Sequence, residues 1–174
     1  MHSNESEPLV LPDDGPRHHA LAEKLTRRPA SPADFEATLA IKKQALGPYI
    51  EQVWGWDDAF QRAYHIDHFN PGNTSLLEYT GREAGLLEGA EAADHIFIQS
   101  LLVLPEFQNK GIGTYLLRQL MTQAVAADKP LMLEVLQVNS SALRLYQRLG
   151  FTLRNTTELT FQLVFSVQHE VSSS

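Results

Sequence analysis

The stretch from Leu101 to Ala127, LLVLPEFQNKGIGTYLLRQLMTQAVAA, limits what this chain can fold into more than any other. An apolar run ends at Pro105, and a polar turn carrying Gly111 and Gly113 follows. Next comes an amphipathic segment with Ile112, Leu116, Leu117, Leu120, Met121, Ala124 and Val125 on one side of a helical period. The pattern reads as strand, glycine turn, helix. Such a turn leaves backbone N–H groups free at a helix N-terminus, where the helix dipole also favours negative charge. Glycine lets the backbone approach an anion closely, because no Cβ intervenes. The expected ligand is a phosphate or pyrophosphate.

Two common phosphate loops do not fit. A dinucleotide fingerprint needs a small residue three positions after Gly113, where Leu116 stands. A P-loop ends in Gly-Lys-Ser/Thr, but Gly113 is followed by Thr114 and Tyr115. What remains, Gln108-Asn-Lys-Gly111-Ile-Gly113, resembles the Q/R-x-x-G-x-G/A signature of the GCN5-related N-acetyltransferases, the GNAT superfamily. A second segment, Asn139-Ser-Ser-Ala142-Leu-Arg-Leu-Tyr146-Gln-Arg-Leu-Gly150-Phe151, is similar to that superfamily's N-x-x-A-x-x-L/F-Y-x-x-x-G-F motif.

The rest of the chain is consistent with one domain. At 174 residues, 43% apolar and 20% charged, it is long enough and apolar enough for one real core. Residues 1–24 are polar and carry Pro8, Pro12 and Pro16, which reads as a mobile arm with an ordered part near Leu21 to Lys24. The domain then spans 25–167, with a tail at 168–174. Leu25 to Pro29 reads as a strand. Ser31-Pro32-Ala33-Asp34 starts a helix that Gly47-Pro48 ends. Asp57 to about Phe69 is a second helix, with His65 and His68 on a solvated face. Ser75 to Tyr79 and Glu83 to Glu88 form a hairpin around Thr80-Gly81-Arg82. A long strand from Ala93 to Leu104 leads into the glycine turn. Leu131 to Val138 is a buried strand and Asn139 to Leu149 a helix, and two strands at 151–154 and 157–167 close the chain. The fold class is α/β with mixed character: a central, mostly antiparallel sheet of about seven strands flanked by about four helices. Parallel pairing is required where the strand ending near 104 meets Leu131 to Val138 through a helical crossover. The resemblance adds that these two strands splay apart and that the pantetheine arm of acetyl-coenzyme A lies between them.

The same resemblance implies transfer of the acetyl group of acetyl-coenzyme A to an amine. The backbone amides of Gln108, Asn109, Lys110, Gly111, Ile112, Gly113 and Thr114 would hold the pyrophosphate, and Leu101 and Val103 would pair with the pantetheine. Lys110 and Arg148 would offset phosphate charge or else serve surface solubility. Asn139 would touch the coenzyme or cap its helix. Tyr146 would protonate the leaving thiolate, since a phenol of pKa ~10 keeps its proton at neutral pH and can donate to a thiolate of pKa ~8.5. The alternative is a core tyrosine packed with Leu143 and Leu149.

A general base is harder to place. Many members of the superfamily carry a glutamate at positions that match Gln99 or Ser100, and neither is a carboxylate here. Glu134, Glu78 or His95 could substitute, or water hydrogen-bonded to Ser100 could carry the proton. The acceptor would sit against Tyr49, Glu51, Trp54 and Trp56, whose aromatic faces and acid suit a cationic small amine or a peptide amine. A regulatory module that binds acyl-coenzyme A without turnover is the alternative function.

A net charge of −7 disfavours nucleic acid and anionic membrane as partners. The absence of cysteine excludes a disulfide, a thiol nucleophile and a cysteine–zinc site, and no metal is expected. His18 and His19 are adjacent and read as solvated. No apolar run reaches membrane-span length, so the chain reads as soluble and cytoplasmic. The apolar alternation of 157–167 reads as an edge strand, and with it a homodimer through the C-terminal strands.

Overall fold

The computed structural model describes residues 15–167. Seven strands form one sheet, β1 (Leu25–Pro29), β2 (Thr74–Tyr79), β3 (Arg82–Glu91), β4 (Ile96–Val103), β5 (Leu131–Leu136), β6 (Thr152–Thr156) and β7 (Thr160–Phe165), in the order β1-β2-β3-β4-β5-β7-β6. Six α-helices accompany them among the described residues: α1 (Pro16–Lys24), α2 (Phe35–Ala45), α3 (Gly47–Val53), α4 (Asp58–His68), α5 (Ile112–Ala127) and α6 (Ser140–Arg148). Every strand pair is antiparallel except β4 with β5, whose connection is the α5 crossover.

That parallel pair sets up the site. Its register is Ile96 to Leu131, Phe97 to Met132 and Ile98 to Leu133, and stops there. β4 continues through Val103 and β5 through Leu136, so the strands part beyond Ile98 and Leu133. A β-bulge sharpens the change. Glu88 of β3 opposes Ser100, Gly89 opposes Ile98, and Gln99 is the extra residue between them. Further along the same pair, Gly85 opposite Val103 allows a close β3–β4 approach, since a Cβ on it would run into the Leu102 carbonyl oxygen. Leu77, Leu117 and Leu131 are fully buried in the core, and Leu86, on the opposite face of the sheet from Leu77, is fully buried on the side of Glu88 and α2.

Several elements differ from the sequence expectations. Helix α1 extends order back to Pro16, where a mobile arm with an ordered part only near Leu21 to Lys24 was expected. Pro16 occupies its first turn, and its one buried residue, Leu21, joins the main core beside α5. The arm up to residue 14 and the tail at 168–174 lie outside the described residues. Gly47-Pro48 ends α2 but also starts α3, because proline in a first turn forfeits no helical hydrogen bond. The strand expected from Ala93 begins only at Ile96. Ala92 and His95 close a turn there, and β3 extends to Glu91 instead. β7 is not an edge: its alternating Phe161, Leu163 and Phe165 pair it with β5, which leaves β6 outermost.

Candidate active site

The glycine turn is built as its residues dictate. Pro105–Phe107 form one 3₁₀ turn, and the Gln108 side chain donates to the Val103 carbonyl at 3.0 Å, folding the loop back on β4. Asn109 (φ 63°) and Gly111 (φ 84°) both adopt left-handed backbone, and Gly111 becomes the N-cap of α5. No side chain caps α5, and its first turn holds no acid. The amides of Ile112, Gly113 and Thr114 therefore have no acceptor within the helix, and no acid of its own first turn offsets the dipole's positive end.

A cavity of about 510 Å³ runs from this turn along β4 to α6. Leu101, Val103, Gln108, Asn109, Gly111, Ile112, Gly113, Thr114, Asn139, Tyr146 and Arg148 all line it. Residues from both sequence motifs thus meet in one space, because the parting of β4 from β5 opens a gap between α5 and α6. Past Ile98, the β5-facing edge of β4 has no strand partner among the described residues. Lys110 faces outward into a neighbouring cavity with Arg17, His18 and Lys24, which Arg148 also reaches. Its ammonium stands 5.7 Å from the centre of the Tyr79 ring.

Asn139 accepts from the Ala142 amide at 3.2 Å and so caps α6 while lining the cavity. Tyr146 is 9% exposed, packs edge-on against Phe151, and lines the same cavity. Burial pushes its phenol up to about 12, which keeps the proton on the oxygen.

The residues expected on the acceptor side divide. Tyr49 lines the first cavity. Trp54 and Trp56 line a second one, of about 770 Å³, between α2, α3, α4 and the β3–β4 bulge. Ser100 and Gln99 are in its wall as well. Consecutive residues of β4 thus serve both cavities, 99 and 100 the second, 101 to 103 the first. Glu51 lies outside this lining, with its carboxylate accepting the Trp56 amide. Trp56 Nε1 donates to Asp58 at 2.8 Å. Glu134 lines neither cavity and stands 3.5 Å from the Gln162 side chain. Glu78 pairs with Arg28, and His95 with Asp94.

The second cavity also holds residues that the sequence reading passed over or placed elsewhere. His65 was expected on a solvated face but is 2% exposed, wedged between Phe35 and Phe69, with Nε2 2.8 Å from the Thr38 hydroxyl. α4 turns that side toward α2, which no spacing within α4 alone announces. His68 remains exposed and stacks on Tyr64. His18, also expected in solvent, is half-buried against Tyr115. Glu88 is 4% exposed and pairs with Lys42 at 2.9 Å. The available signal was an acid at the end of the apolar run Ala84 to Leu87, where a solvated turn residue was not required. Among the described residues, no group of three or more histidines and acids is placed to hold a metal ion. No described helix is long and apolar enough to cross a membrane.

Residues 40–151 match the family described as Acetyltransferase (GNAT) family. No curated protein is similar enough in sequence to match. Among solved structures, the PaiA N-acetyltransferase of Thermoplasma acidophilum in complex with coenzyme A superposes with a TM-score of 0.66 at 16% identity, over 82% of this chain and 99% of that one. The ribosomal-protein-S18-alanine N-acetyltransferase of Escherichia coli gives 0.60 at 21% identity, over 86% and 99%. Naa50 of Arabidopsis thaliana, in complex with the bisubstrate analogue CoA-Ac-MVNAL, gives 0.60 at 17% identity, over 83% and 99%. At these identities the likeness concerns the fold.

Proposed function

The chain belongs to the GNAT acetyltransferase family, whose cosubstrate is acetyl-coenzyme A, and from that premise we propose that it acetylates a primary amine, either a small cationic amine or a peptide amine, in the cytoplasm. The observation that carries this reading is the meeting of three features in one cavity: the uncapped N-terminus of α5, the unpaired edge of β4 and the buried Tyr146. These residues suit the coenzyme. The α5 amides offer donors to a pyrophosphate, and the free edge of β4 offers backbone partners to amides of the pantetheine arm.

Bound there, the coenzyme supplies an acetyl thioester, an electrophilic carbonyl with a thiol as leaving group. The chain's part is to orient and to move protons. Residues 101–103 of β4 fix the arm, Arg148 adds positive charge beside the turn, and Tyr146 holds a proton within the cavity for the departing sulfur. The acceptor enters from the second cavity, past Trp54 and Trp56. A peptide acceptor gains support from the Naa50 complex, whose analogue carries a peptide.

The second reading, coenzyme binding without turnover, is favoured by one observation: β4 carries Gln99 and Ser100 at the bulge and no carboxylate. Release of free thiol from acetyl-coenzyme A, measured across a panel of amines, decides between them. Amine-dependent thiol release is expected. Coenzyme binding without release for any amine would establish the second reading.

A further inference from the structure

We propose that the second cavity takes a primary amine carried on an apolar body, with Glu88 as the carboxylate that binds its ammonium and accepts its proton. This rests on the transferase reading above.

The floor of the cavity is chemically one-sided. Glu88 Oε1 is engaged by Lys42 Nζ, but Glu88 Oε2 is buried and, among the described residues, no protein group hydrogen-bonds to it. The second bare atom is His65 Nδ1. The Thr38 hydroxyl lies 2.9 Å from both the Asp34 and the Phe35 carbonyl oxygens and donates to one of them. His65 Nε2–H then donates to Thr38 Oγ1, which leaves Nδ1 as a lone pair. Two buried acceptors without donors call for a ligand that only donates, because buried acceptors are normally satisfied. An ammonium has three donors and no acceptor, whereas a hydroxyl or carboxylate would bring further lone pairs. Lys42 offsets the Glu88 carboxylate and His65 is held neutral by its burial, so a bound ammonium shares the one carboxylate with Lys42 until it gives up its proton.

The walls set the rest of the acceptor. Ile50, Trp54, Trp56, Phe60 and Tyr64 enclose the cavity above this floor and favour an apolar or aromatic body, with Asp57 and Gln61 as polar members of the wall. Placement suits chemistry as well. Glu88 opposes Ser100 across the β3–β4 ladder, and the next residues of β4 line the coenzyme cavity. Glu88 therefore stands on β3 in the role for which β4 has no carboxylate.

The proton balance closes. The ammonium gives one proton to Glu88 Oε2 and becomes a nucleophile. Its nitrogen forms a bond to the thioester carbon, the carbon–sulfur bond breaks, and the nitrogen loses a second proton. The sulfur gains one proton by way of Tyr146. One amide, one thiol and one proton released to solvent result.

The test uses the whole chain, acetyl-coenzyme A and three acceptors. Phenylethylamine is an ammonium at neutral pH. O-benzylhydroxylamine has a similar body but is already neutral. Ethylamine lacks the body. Wild type is expected to prefer phenylethylamine over ethylamine by at least about ten-fold in kcat/KM. Glu88→Gln should cost about 10²–10⁴-fold with phenylethylamine and less than about ten-fold with O-benzylhydroxylamine, which needs no deprotonation. The thermal shift caused by coenzyme A should be unchanged. Glu88→Gln leaves the Lys42 charge unpaired, so the pair Glu88→Gln/Lys42→Met provides the same reading if the single variant does not fold. Equal losses with both aromatic acceptors, undiminished activity, or a preference for ethylamine would overturn the proposal alone. Wild type that binds coenzyme A and acetylates no amine would overturn the transferase reading and this proposal with it.

Discussion

At the scale of single residues, two positions carry distinct parts of the proposed reaction. Tyr146 keeps its proton because burial opposes the phenolate, so a change that spares its ring isolates the donor. Tyr146→Phe retains the edge contact with Phe151 and removes only the O–H. Turnover should fall about 10²–10⁴-fold with coenzyme affinity little changed, as read by steady-state kinetics alongside calorimetry. Turnover close to wild type would make Tyr146 a packing residue. Gly111 bears on binding instead. Its φ of 84° costs an L-residue roughly 1–2 kcal/mol, and a Cβ there would sit 3.4 Å from Leu21 Cδ1 of α1. Gly111→Val adds branched bulk at the mouth of the α5 amides. The rise in melting temperature that coenzyme A gives to wild type should vanish in this variant. An equal rise in both proteins would show that the pyrophosphate does not sit on this turn.

At the scale of elements, α3 with the start of α4 walls the second cavity, and β6 edges the sheet. Trp54 is 61% exposed at the cavity, so Trp54→Ala should alter stability by no more than about 0.5 kcal/mol. The KM for the acceptor should rise while coenzyme affinity holds, and the reverse pattern would move the acceptor elsewhere. A homodimer through the C-terminal strands now depends on β6, where Leu153 is 58% exposed. A bulge between Leu153 and Asn155 and the charge of Arg154 both work against edge pairing. Light scattering that yields a monomer mass at high concentration would dismiss the dimer. The limits of the sequence follow the same lines. The glycine turn, the N-cap at Asn139 and the Phe161–Phe165 alternation were legible because each depends on local spacing. The burial of His65 and the Glu88–Lys42 pair were not, since both arise where α2 and α4 close over β3, a contact between residues far apart in sequence. β7 was misplaced at an edge for a related reason: alternation reveals which face is buried, not which strands flank it.

For the molecule as a whole, acid should unfold the protein in two separable stages, and His65 governs the first. Burial is the largest influence on its imidazole, the charge of Lys42 adds to it, and both push the pKa below the ordinary 6.5. Glu88, the Phe35 carbonyl and Glu36 oppose the shift without reversing it. The unfolded chain therefore binds the proton at a higher pH than the folded chain does. Stability rises with pH wherever the unfolded state holds more protons, so the contribution is complete above about pH 6.5 and is lost as pH falls through the folded value. The second stage belongs to carboxylates. Asp34 beside Arg28, Glu36 beside Arg62, Asp58 beside Lys43 and Asp94 beside His95 are all held below their ordinary values. Their contributions are present above about pH 4 and lost beneath it. Urea midpoints measured from about pH 8 down to about pH 3 should show a first decline beginning near 6.5 and a steeper one below about 4. His65→Gln keeps a side-chain hydrogen bond within reach of Thr38 but cannot titrate. It should lower the midpoint at neutral pH, because the ring leaves a gap between Phe35 and Phe69, and it should erase the upper decline while leaving the lower one. An upper decline of the same size in His65→Gln would assign that stage to another group and remove the link between this histidine and the closure of α4 on α2.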